Sequence, residues 1–266
     1  MINWFPGHMA KASKEIEETK PLDLIIEIVD ARAIKNTRND ELSKNINKPK
    51  IIIALKKDLS DIRITENTNI HITCINDNTF KNTILKILNS FFSEKIQKLK
   101  SKGLLMPQFY IMVIGLPNVG KSSFINKLTN FQTKVNVQNK PGVTRKKQMI
   151  KISDNFFIYD TPGIMIKKIR SNEQGYILSL LNIIKRENIP VEEVAKWAFN
   201  FYQNKYRKEF NNYFAYTGND FYDFINFLCI KYKFYAKDSK LDNKKAVEFF
   251  IDLIKSGKIT KVNYEK

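Results

Sequence analysis

The chain has 266 residues, 43% of them hydrophobic, and this size favours two domains over one. Lysine and arginine together number 45 against 27 for aspartate and glutamate, which gives a formal net charge of +18. This excess of positive charge favours a polyanionic partner, with nucleic acid as the foremost candidate. A serious alternative is that the composition is generally lysine-rich and that the lysines form no defined patch. No apolar run is long enough to cross a bilayer or to form a signal peptide, which argues against a membrane partner and predicts a cytoplasmic protein.

The two cysteines, Cys74 and Cys229, lie in different parts of the chain. Neither forms a Cys-x-x-Cys pair or belongs to a metal-ligand cluster. We therefore expect both to be buried thiols in a reducing compartment.

The start of the chain combines Trp4, a Pro-Gly turn and His8 just before a predicted helix from Ala10 to Thr19. The turn places His8 beside a bend, from which it could swing toward a ligand. A histidine that packs against Trp4 or lies idle at the helix start is an equally good interpretation.

Strands alternate with helices in the next part of the chain. Predicted strands cover Leu22–Val29, Pro49–Leu55 and Asn69–Ile75. An amphipathic helix follows from about Thr79 to Lys98, with Phe91 on its apolar face. The second strand is continuously apolar, as strands buried on both faces of a parallel sheet are. The alternation predicts an α/β fold with a mostly parallel sheet.

The pattern Gly-x-x-x-x-Gly-Lys-Ser occupies Gly115 to Ser122, between a predicted strand over Phe109–Ile114 and a predicted helix over Ser123–Leu128. Glycines let the loop curl so that its N–H groups converge on one point, and the following helix directs its positive N-terminal end there. Lys121 should reach the β- and γ-phosphates of a nucleotide, and the Ser122 hydroxyl should bind Mg²⁺. A chance glycine-rich turn is the alternative, and the strand-to-helix setting argues against it.

Two further segments can complete this site. A turn-rich stretch contains Thr144, and predicted strands over Lys147–Ile152 and Asn155–Tyr159 lead to Asp160-Thr-Pro-Gly163. Asp160 could hold Mg²⁺ through water, Thr144 could supply a second hydroxyl, and the N–H of Gly163 could touch the γ-phosphate. Each residue alone is a weak signal, but together with the phosphate loop they form one predicted catalytic set.

Recognition of the base needs a separate acceptor. Guanine presents its N1–H and N2–H₂ donors on one edge, and a single carboxylate can accept from both. Asp58 follows the strand predicted over Pro49–Leu55, and ligands of α/β proteins lie outside the carboxyl ends of the strands. An ordinary N-cap aspartate is the alternative interpretation.

The last third of the chain changes from alternating strands to helices. Ser171–Gln174 has the form of a capping box, and amphipathic segments cover Phe221–Tyr232 and Asn243–Lys255. The sequence therefore predicts two domains, residues 1–166 and residues 167–266, the second a small helical domain.

This helical domain is rich in aromatic and basic residues. Most of the aromatic residues recur at core spacing, which favours packing over base stacking: Trp197, Phe201, Tyr213, Phe214, Phe221 and Phe224. The basic residues could form an RNA-facing surface, with solvated helix faces as an equally good interpretation: Lys205, Arg207, Lys208, Lys231, Lys233, Lys244 and Lys245.

Five segments, in their order along the chain, resemble the circularly permuted GTPases of the ribosome biogenesis GTPase A (RbgA/YlqF) family. They are Trp4–Lys11, Val29–Arg32, Gly115–Ser122, Pro141–Thr144 and Asp160–Gly163, and they span the first two-thirds of the chain. The resemblance implies a circularly permuted P-loop GTPase domain, in which the guanine-reading motif precedes the phosphate loop, followed by a helical domain.

The resemblance also implies a function. It is that of a bacterial GTPase that binds a late precursor of the large ribosomal subunit and its RNA, hydrolyses GTP there and leaves when assembly has advanced. The implied ligands are GTP and Mg²⁺, together with a K⁺ ion near Asn118 that adds positive charge. We expect a monomer. Turnover should be slow in isolation and stimulated by the particle. The alternative is a nucleotide-gated RNA-binding module with weakened hydrolysis or relaxed base selectivity.

Two positions are unusual for a GTPase. Leu55 stands where the family's guanine motif Asn-Lys-x-Asp begins with asparagine, and Ile164 stands where Ras-like GTPases carry the glutamine that orients water. The resemblance gives the catalytic role of that glutamine to His8. Nucleotide contacts are assigned to Lys56, Lys57, Asp58, Asn118, Val119, Gly120, Lys121, Ser122, Ser123 and Gly163, metal contacts to Ser122, Thr144 and Asp160, and catalytic roles to His8, Lys121 and Thr144.

Overall fold

The computed structural model of the chain describes residues 21–39, 47–62, 70–129, 148–160, 169–184, 188, 190–237 and 239–265. The chain divides into two compact units. One unit contains a β-sheet, and the other contains the residues from Ile169 onward together with the short segment Leu59–Asp61. The predicted boundary between residues 166 and 167 lies outside the described residues.

The described region of the first unit contains a six-stranded sheet with the strand order β3-β2-β1-β4-β6-β5. The strands are β1 (Leu24–Asp30), β2 (Lys50–Leu55), β3 (Ile70–Ile72), β4 (Phe109–Gly115), β5 (Gln148–Lys151) and β6 (Phe156–Asp160). Strand β5 pairs antiparallel with β6, and every other pairing is parallel. The predicted α/β fold with a mostly parallel sheet is confirmed. The carboxyl ends of β1, β2, β4 and β6 therefore meet at one edge.

Strand β1 is buried at all seven positions, as the inner strands of a parallel sheet with two covered faces must be. Its one charged residue before the final aspartate, Glu27, is also fully buried. The Glu27 Oε1 atom accepts a hydrogen bond from the Asn39 N–H at 2.7 Å, and Oε2 lies 3.1 Å from the Lys50 ammonium. These contacts offset part of the free-energy cost of burying the carboxylate.

The described helices of the first unit are α1 (Ile34–Thr37), α2 (Phe80–Phe91), α3 (Ser93–Ser101) and α4 (Lys121–Leu128). The prediction of one helix from Thr79 to Lys98 is wrong, because the chain leaves the helical path at Phe92. The Phe92 ring stacks on Phe109 of β4 with centroids 4.2 Å apart, whereas Phe91, predicted on the buried face, is 42% exposed. Packing on the sheet thus decides where the helix breaks.

The second unit contains α5 (Asn172–Leu180), α6 (Val191–Lys205), α7 (Arg207–Phe214), α8 (Phe221–Tyr232) and α9 (Asn243–Lys255). Helices α8 and α9 have the predicted bounds, and α7 was not predicted. At the start of α5, the Ser171 hydroxyl accepts from the Gln174 N–H at 3.1 Å, as in a capping box. The Gln174 side chain, however, accepts from the Arg170 N–H at 2.7 Å rather than from Ser171.

Five fully buried phenylalanines form the centre of the second unit: Phe199, Phe210, Phe214, Phe224 and Phe250. The ring centroid of Phe224 lies 5.0 to 5.1 Å from those of the other four. The prediction that the aromatic residues serve packing is confirmed for Phe214, Phe221 and Phe224, which are buried, while Trp197, Phe201 and Tyr213 are partly buried.

Two smaller expectations concern thiols and membranes. Cys229 is buried as expected, but Cys74 is partly exposed, so the expectation of a buried thiol is wrong there. Among the described helices, none combines the length and apolar character needed to span a membrane.

Candidate nucleotide-binding site

The phosphate loop joins β4 to α4 and depends on two glycines. Gly115 has φ +154°, and a Cβ atom there would lie 2.4 Å from the Ile28 carbonyl oxygen of the adjacent strand β1. Gly120, the residue before α4, has φ +109°, a conformation that residues with a Cβ rarely adopt. Asn118 also has a positive φ of 59°, which asparagine tolerates better than most residues. The pattern of glycines and asparagine therefore follows from the backbone path.

Lys121 opens α4 and is only 8% exposed. Its ammonium donates a hydrogen bond to the Leu116 carbonyl at 2.8 Å, so the side chain turns back over the loop that precedes it. Ser122 and Ser123 follow in the first helical turn and are half-buried. The loop thus directs a cation, two hydroxyl-bearing residues and the positive end of a helix to one region, which suits a polyphosphate.

The segment predicted to read the base lies against this loop. Leu55, the last residue of β2, is fully buried, and a Cβ atom on Gly120 would lie 3.1 Å from its Cδ1 atom. The next residue, Lys56, has φ +64° and donates from its ammonium to the Asn118 carbonyl at 3.0 Å. The structure therefore brings Leu55 and Lys56 into contact with the loop residues Asn118 and Gly120.

A buried ion network supports Lys56 from the other side. The Asp30 carboxylate at the end of β1 accepts from Lys56 Nζ and from Arg32 Nη2, both at 2.9 Å, and from Arg32 Nε at 2.9 Å. Burial alone would raise the pKa of Asp30, but the charges of Lys56 and Arg32 hold it well below its usual range. No role was predicted for Asp30 or Arg32. Their position directly after the strand predicted over Leu22–Val29, at the edge where ligands of α/β proteins lie, is the signal that could have found them.

Asp58 lies in a short 3₁₀ helix, Lys57–Leu59, which follows β2. Both Lys57 and Asp58 are exposed. The Asp58 Oδ1 atom accepts a hydrogen bond from the Cys74 thiol at 3.2 Å. Burial and this hydrogen bond raise the pKa of Cys74, so at neutral pH the thiol stays protonated and remains a donor. Asp58 is therefore a charged acceptor within reach of solvent.

The remaining predicted residues are only partly described. The backbone of Asp160 ends β6 and is paired with Val113, two residues before Gly115, so this strand end lies beside the strand that leads into the phosphate loop. His8, Thr144 and Gly163 lie outside the described residues. Within the described part of the chain, no group of three His, Cys, Asp or Glu side chains could hold a metal ion.

A glycine-dependent loop between a buried parallel strand and a helix that begins with lysine defines a P-loop nucleotide-binding protein. Residues 110–210 match a family described as 50S ribosome-binding GTPase. A probable ribosome biogenesis GTPase A of Mycoplasma pneumoniae is 39% identical over 267 residues, which cover 99% of this chain and 96% of the relative. The ribosome biogenesis GTPase A of Bacillus pumilus is 33% identical over 216 residues, or 77% of this chain and 76% of the relative.

The chain therefore belongs to the ribosome biogenesis GTPase A family. Its fold is similar to that of GNP-bound YlqF from T. maritima, with a TM-score of 0.68, 22% identity and coverage of 96% of this chain and 97% of that one. The predicted family and its circularly permuted GTPase fold are thus confirmed.

The ion network generates a prediction about stability. Replacing Asp30 by asparagine should lower the free energy of unfolding at pH 7 by about 3–5 kcal/mol, because Arg32 and Lys56 would lose a buried carboxylate. Since the pKa of Asp30 is depressed in the folded state, its contribution is complete above its unfolded pKa of about 3.9 and is lost as the pH falls below it. The difference between parent and variant should therefore shrink in acid. Urea unfolding at several pH values measures it.

A matched control is Asp154→Asn, which removes the exposed Lys151–Asp154 ion pair. This substitution should lower the free energy of unfolding by less than about 1 kcal/mol, because solvent screens that ion pair. Equal losses of stability in the two variants would contradict the assignment of a supporting role to Asp30.

Proposed function

We propose that this chain is a GTP-hydrolysing assembly factor that binds a late precursor of the bacterial large ribosomal subunit and promotes its maturation. Membership of a GTPase family gives the hydrolytic activity. The observation that carries the proposal is the contact of Leu55 and Lys56, which directly precede Asp58 in the segment Leu55–Asp58, with the phosphate loop in a chain of this family.

Phosphate binding would use groups that the loop already gathers. The Lys121 ammonium would exchange the Leu116 carbonyl for the β- and γ-phosphate oxygens of GTP. Ser122 in the first turn of α4 offers a hydroxyl oxygen, the ligand type that Mg²⁺ prefers, and Mg²⁺ at nucleotide sites needs few protein ligands. Thr144 and Asp160 would complete the metal contacts. Mg²⁺ would supply positive charge that neutralises the phosphate oxygens.

Guanine recognition would rest on Asp58, whose carboxylate would accept from the N1–H and N2–H₂ groups of the base. Lys56 and Lys57 would flank it. Because Leu55 stands where the family's motif has asparagine, the amide of that asparagine is absent. Losing one neutral hydrogen bond weakens the binding free energy by about 0.5–1.5 kcal/mol. The hydrogen bond from Lys56 to the Asn118 carbonyl connects the segment proposed to bind the base, Leu55–Asp58, to the phosphate loop. We therefore expect the preference for guanine to survive.

Hydrolysis would be an in-line attack of water on the γ-phosphate. Lys121, the loop N–H groups and a K⁺ ion near Asn118 would stabilise the charge that develops. His8 would orient the attacking water in place of the glutamine of Ras-like GTPases. Docking on the ribosomal particle would bring His8 and Thr144 to the γ-phosphate, so that rapid hydrolysis reports docking. We propose a cytoplasmic monomer as the acting form.

A surface of the helical unit suits ribosomal RNA. The connection between α8 and α9, residues 231–237 and 239–245, is called here the α8–α9 hairpin. Its backbone is fixed by hydrogen bonds from the Ala236 N–H to the Lys240 carbonyl at 2.8 Å and from the Asp242 N–H to the Phe234 carbonyl at 3.0 Å. It presents exposed lysines: Lys231, Lys233, Lys237, Lys240, Lys244 and Lys245.

One aromatic residue stands out among these lysines. Tyr235 is 50% exposed, while the nearby rings of Tyr232, Phe234 and Phe249 pack on one another with centroids 4.6 to 6.0 Å apart. Exposed lysines bind phosphates, and an exposed ring on a fixed backbone can stack on an unpaired base. We infer that the α8–α9 hairpin contacts RNA of the large-subunit precursor.

The function is tested by measuring phosphate release from GTP and from ATP, with and without purified large-subunit precursors. GTP should be hydrolysed slowly alone and faster with the particle, and ATP should not be used. Lys121→Ala should lower the rate about 10²- to 10³-fold, because it removes the cation from the β- and γ-phosphates. Lys127→Ala in the same helix is the matched control and should leave the rate unchanged. Equal binding of both nucleotides without stimulation would favour a nucleotide-gated RNA-binding module instead.

The RNA contact is tested by the salt dependence of binding to precursor particles. The double variant Lys237→Ala/Lys244→Ala should reduce the slope of log affinity against log salt by about one to two, because fewer counterions are released. Tyr235→Leu should weaken binding about 5- to 100-fold without changing the slope, because stacking is not ionic.

The matched control for charge is Lys98→Ala/Lys100→Ala, which removes two exposed lysines from α3 in the other unit. It should leave both affinity and slope near those of the parent. Equal effects of the two double variants would show that the excess charge acts as a whole and not through the α8–α9 hairpin.

A further inference from the structure

Within the unit that contains the sheet, the chain that follows β3 runs beside the chain that follows β2. The two strands pair in parallel, and hydrogen bonds continue past their ends. The Thr73 N–H donates to the Ala54 carbonyl at 2.9 Å, and the Lys57 N–H donates to the Thr73 carbonyl at 3.3 Å. The next residue on each chain, Cys74 after β3 and Asp58 after β2, is thereby brought close to the other.

The contact between these two residues is a hydrogen bond from the Cys74 thiol to Asp58, with 3.2 Å between Sγ and Oδ1. Burial of the thiol first, and then the bond to the Asp58 carboxylate, raise the pKa of Cys74, so the sulfur keeps its proton at neutral pH. The two oxygens of an ionised carboxylate offer about four lone-pair sites. One bond to the thiol therefore leaves sites for the two donors of guanine, while it restrains the rotation of the carboxylate.

The turn that contains Cys74 is held by its own hydrogen bonds and by packing. The Cys74 carbonyl accepts from the Asp77 N–H at 3.2 Å. Asp77 Oδ1 in turn accepts from the N–H and the hydroxyl of Thr79, at 2.9 and 2.8 Å. On the other side, the Ile75 Cδ1 atom would lie 3.8 Å from a Cβ atom on Gly120 of the phosphate loop. The thiol thus extends from a backbone whose position is fixed next to the phosphate loop.

We propose that Cys74 is a positioning residue for guanine recognition. Its thiol holds the Asp58 carboxylate in the orientation in which both guanine donors can reach it. Because the Asp58 side chain is exposed, it would otherwise rotate and would have to be ordered when the base binds, which lowers affinity. This inference rests on the proposed role of Asp58 as the guanine acceptor. It adds a residue that affects binding of the base and not binding of the phosphates.

The position of the thiol has a second consequence. Cys74 is partly exposed, so a small reagent can reach its sulfur in the free protein. A guanine base bound at Asp58 would lie next to this sulfur and cover it. GDP should therefore slow alkylation of Cys74, whereas inorganic tripolyphosphate, which has no base, should not.

The first test compares ligands that share phosphates but differ in the base. In Cys74→Ala the affinity for GDP should fall about two- to tenfold, because the hydrogen bond that orders the acceptor is lost. The affinities for ADP and for inorganic tripolyphosphate should stay unchanged. Cys74→Ser supplies a hydroxyl donor in place of the thiol and should restore the affinity for GDP. Competition against a fluorescent guanine nucleotide and calorimetry with tripolyphosphate measure these affinities.

Cys229→Ala is the matched control. It removes the other thiol, which contacts Asn243 Oδ1 at 3.4 Å in the helical unit, and it should leave all three affinities unchanged. Since the chain has two cysteines, this variant also keeps Cys74 as its single thiol. Its rate of alkylation by N-ethylmaleimide, followed by mass spectrometry with GDP or with tripolyphosphate, provides the second test.

The possible failures are distinguishable. Equal losses of GDP and tripolyphosphate affinity in Cys74→Ala, or no loss of either, would overturn the inference while leaving a guanine-selective parent intact. Failure of Cys74→Ser to restore GDP binding, or alkylation at the same rate with and without GDP, would also overturn it. A parent that binds GDP and ADP equally would overturn the role of Asp58 and this inference together.

Discussion

The contact of the Lys56 ammonium with the Asp30 carboxylate and the Asn118 carbonyl is the interaction on which the site depends. It joins the ends of β1 and β2 to the phosphate loop. The charge of Lys56 is balanced by Asp30, so the ammonium is fixed and not free to follow a nucleotide. Leu55, packed against Gly120, adds an apolar contact between β2 and the phosphate loop. The segment Leu55–Asp58 and the phosphate loop are thereby joined by one polar contact and one apolar contact.

Two regions of the helical unit differ in character. The α8–α9 hairpin presents exposed lysines and the exposed Tyr235, the groups that we propose contact RNA, whereas Tyr206 and Val262 contact Asp61 and Leu59 within the same unit. If nucleotide binding changes the affinity of the proposed RNA contact, RNA must change the affinity for the nucleotide by the same factor.

Local signals explain which elements of the structure could be predicted. The bounds of α8 and α9 were correct because strong periodicity coincides with N-cap side chains, Asp220 and Asp242, that accept from the first backbone N–H groups. The phosphate loop was evident from its glycines and lysine. Helix α7 was missed because it is short and begins one residue after α6 without a side-chain cap. The break at Phe92 and the bond from Tyr206 to Asp61 depend on partners far away in sequence, which no local pattern encodes.

The claim that Asp58 reads guanine from a segment joined to the phosphate loop is tested most directly by the affinities of Asp58→Asn for GTP and xanthosine triphosphate. The amide can donate to the xanthine oxygen but cannot accept from two guanine donors. The account predicts that the variant prefers xanthosine triphosphate, whereas the parent prefers GTP. Unchanged selectivity in the variant would contradict it.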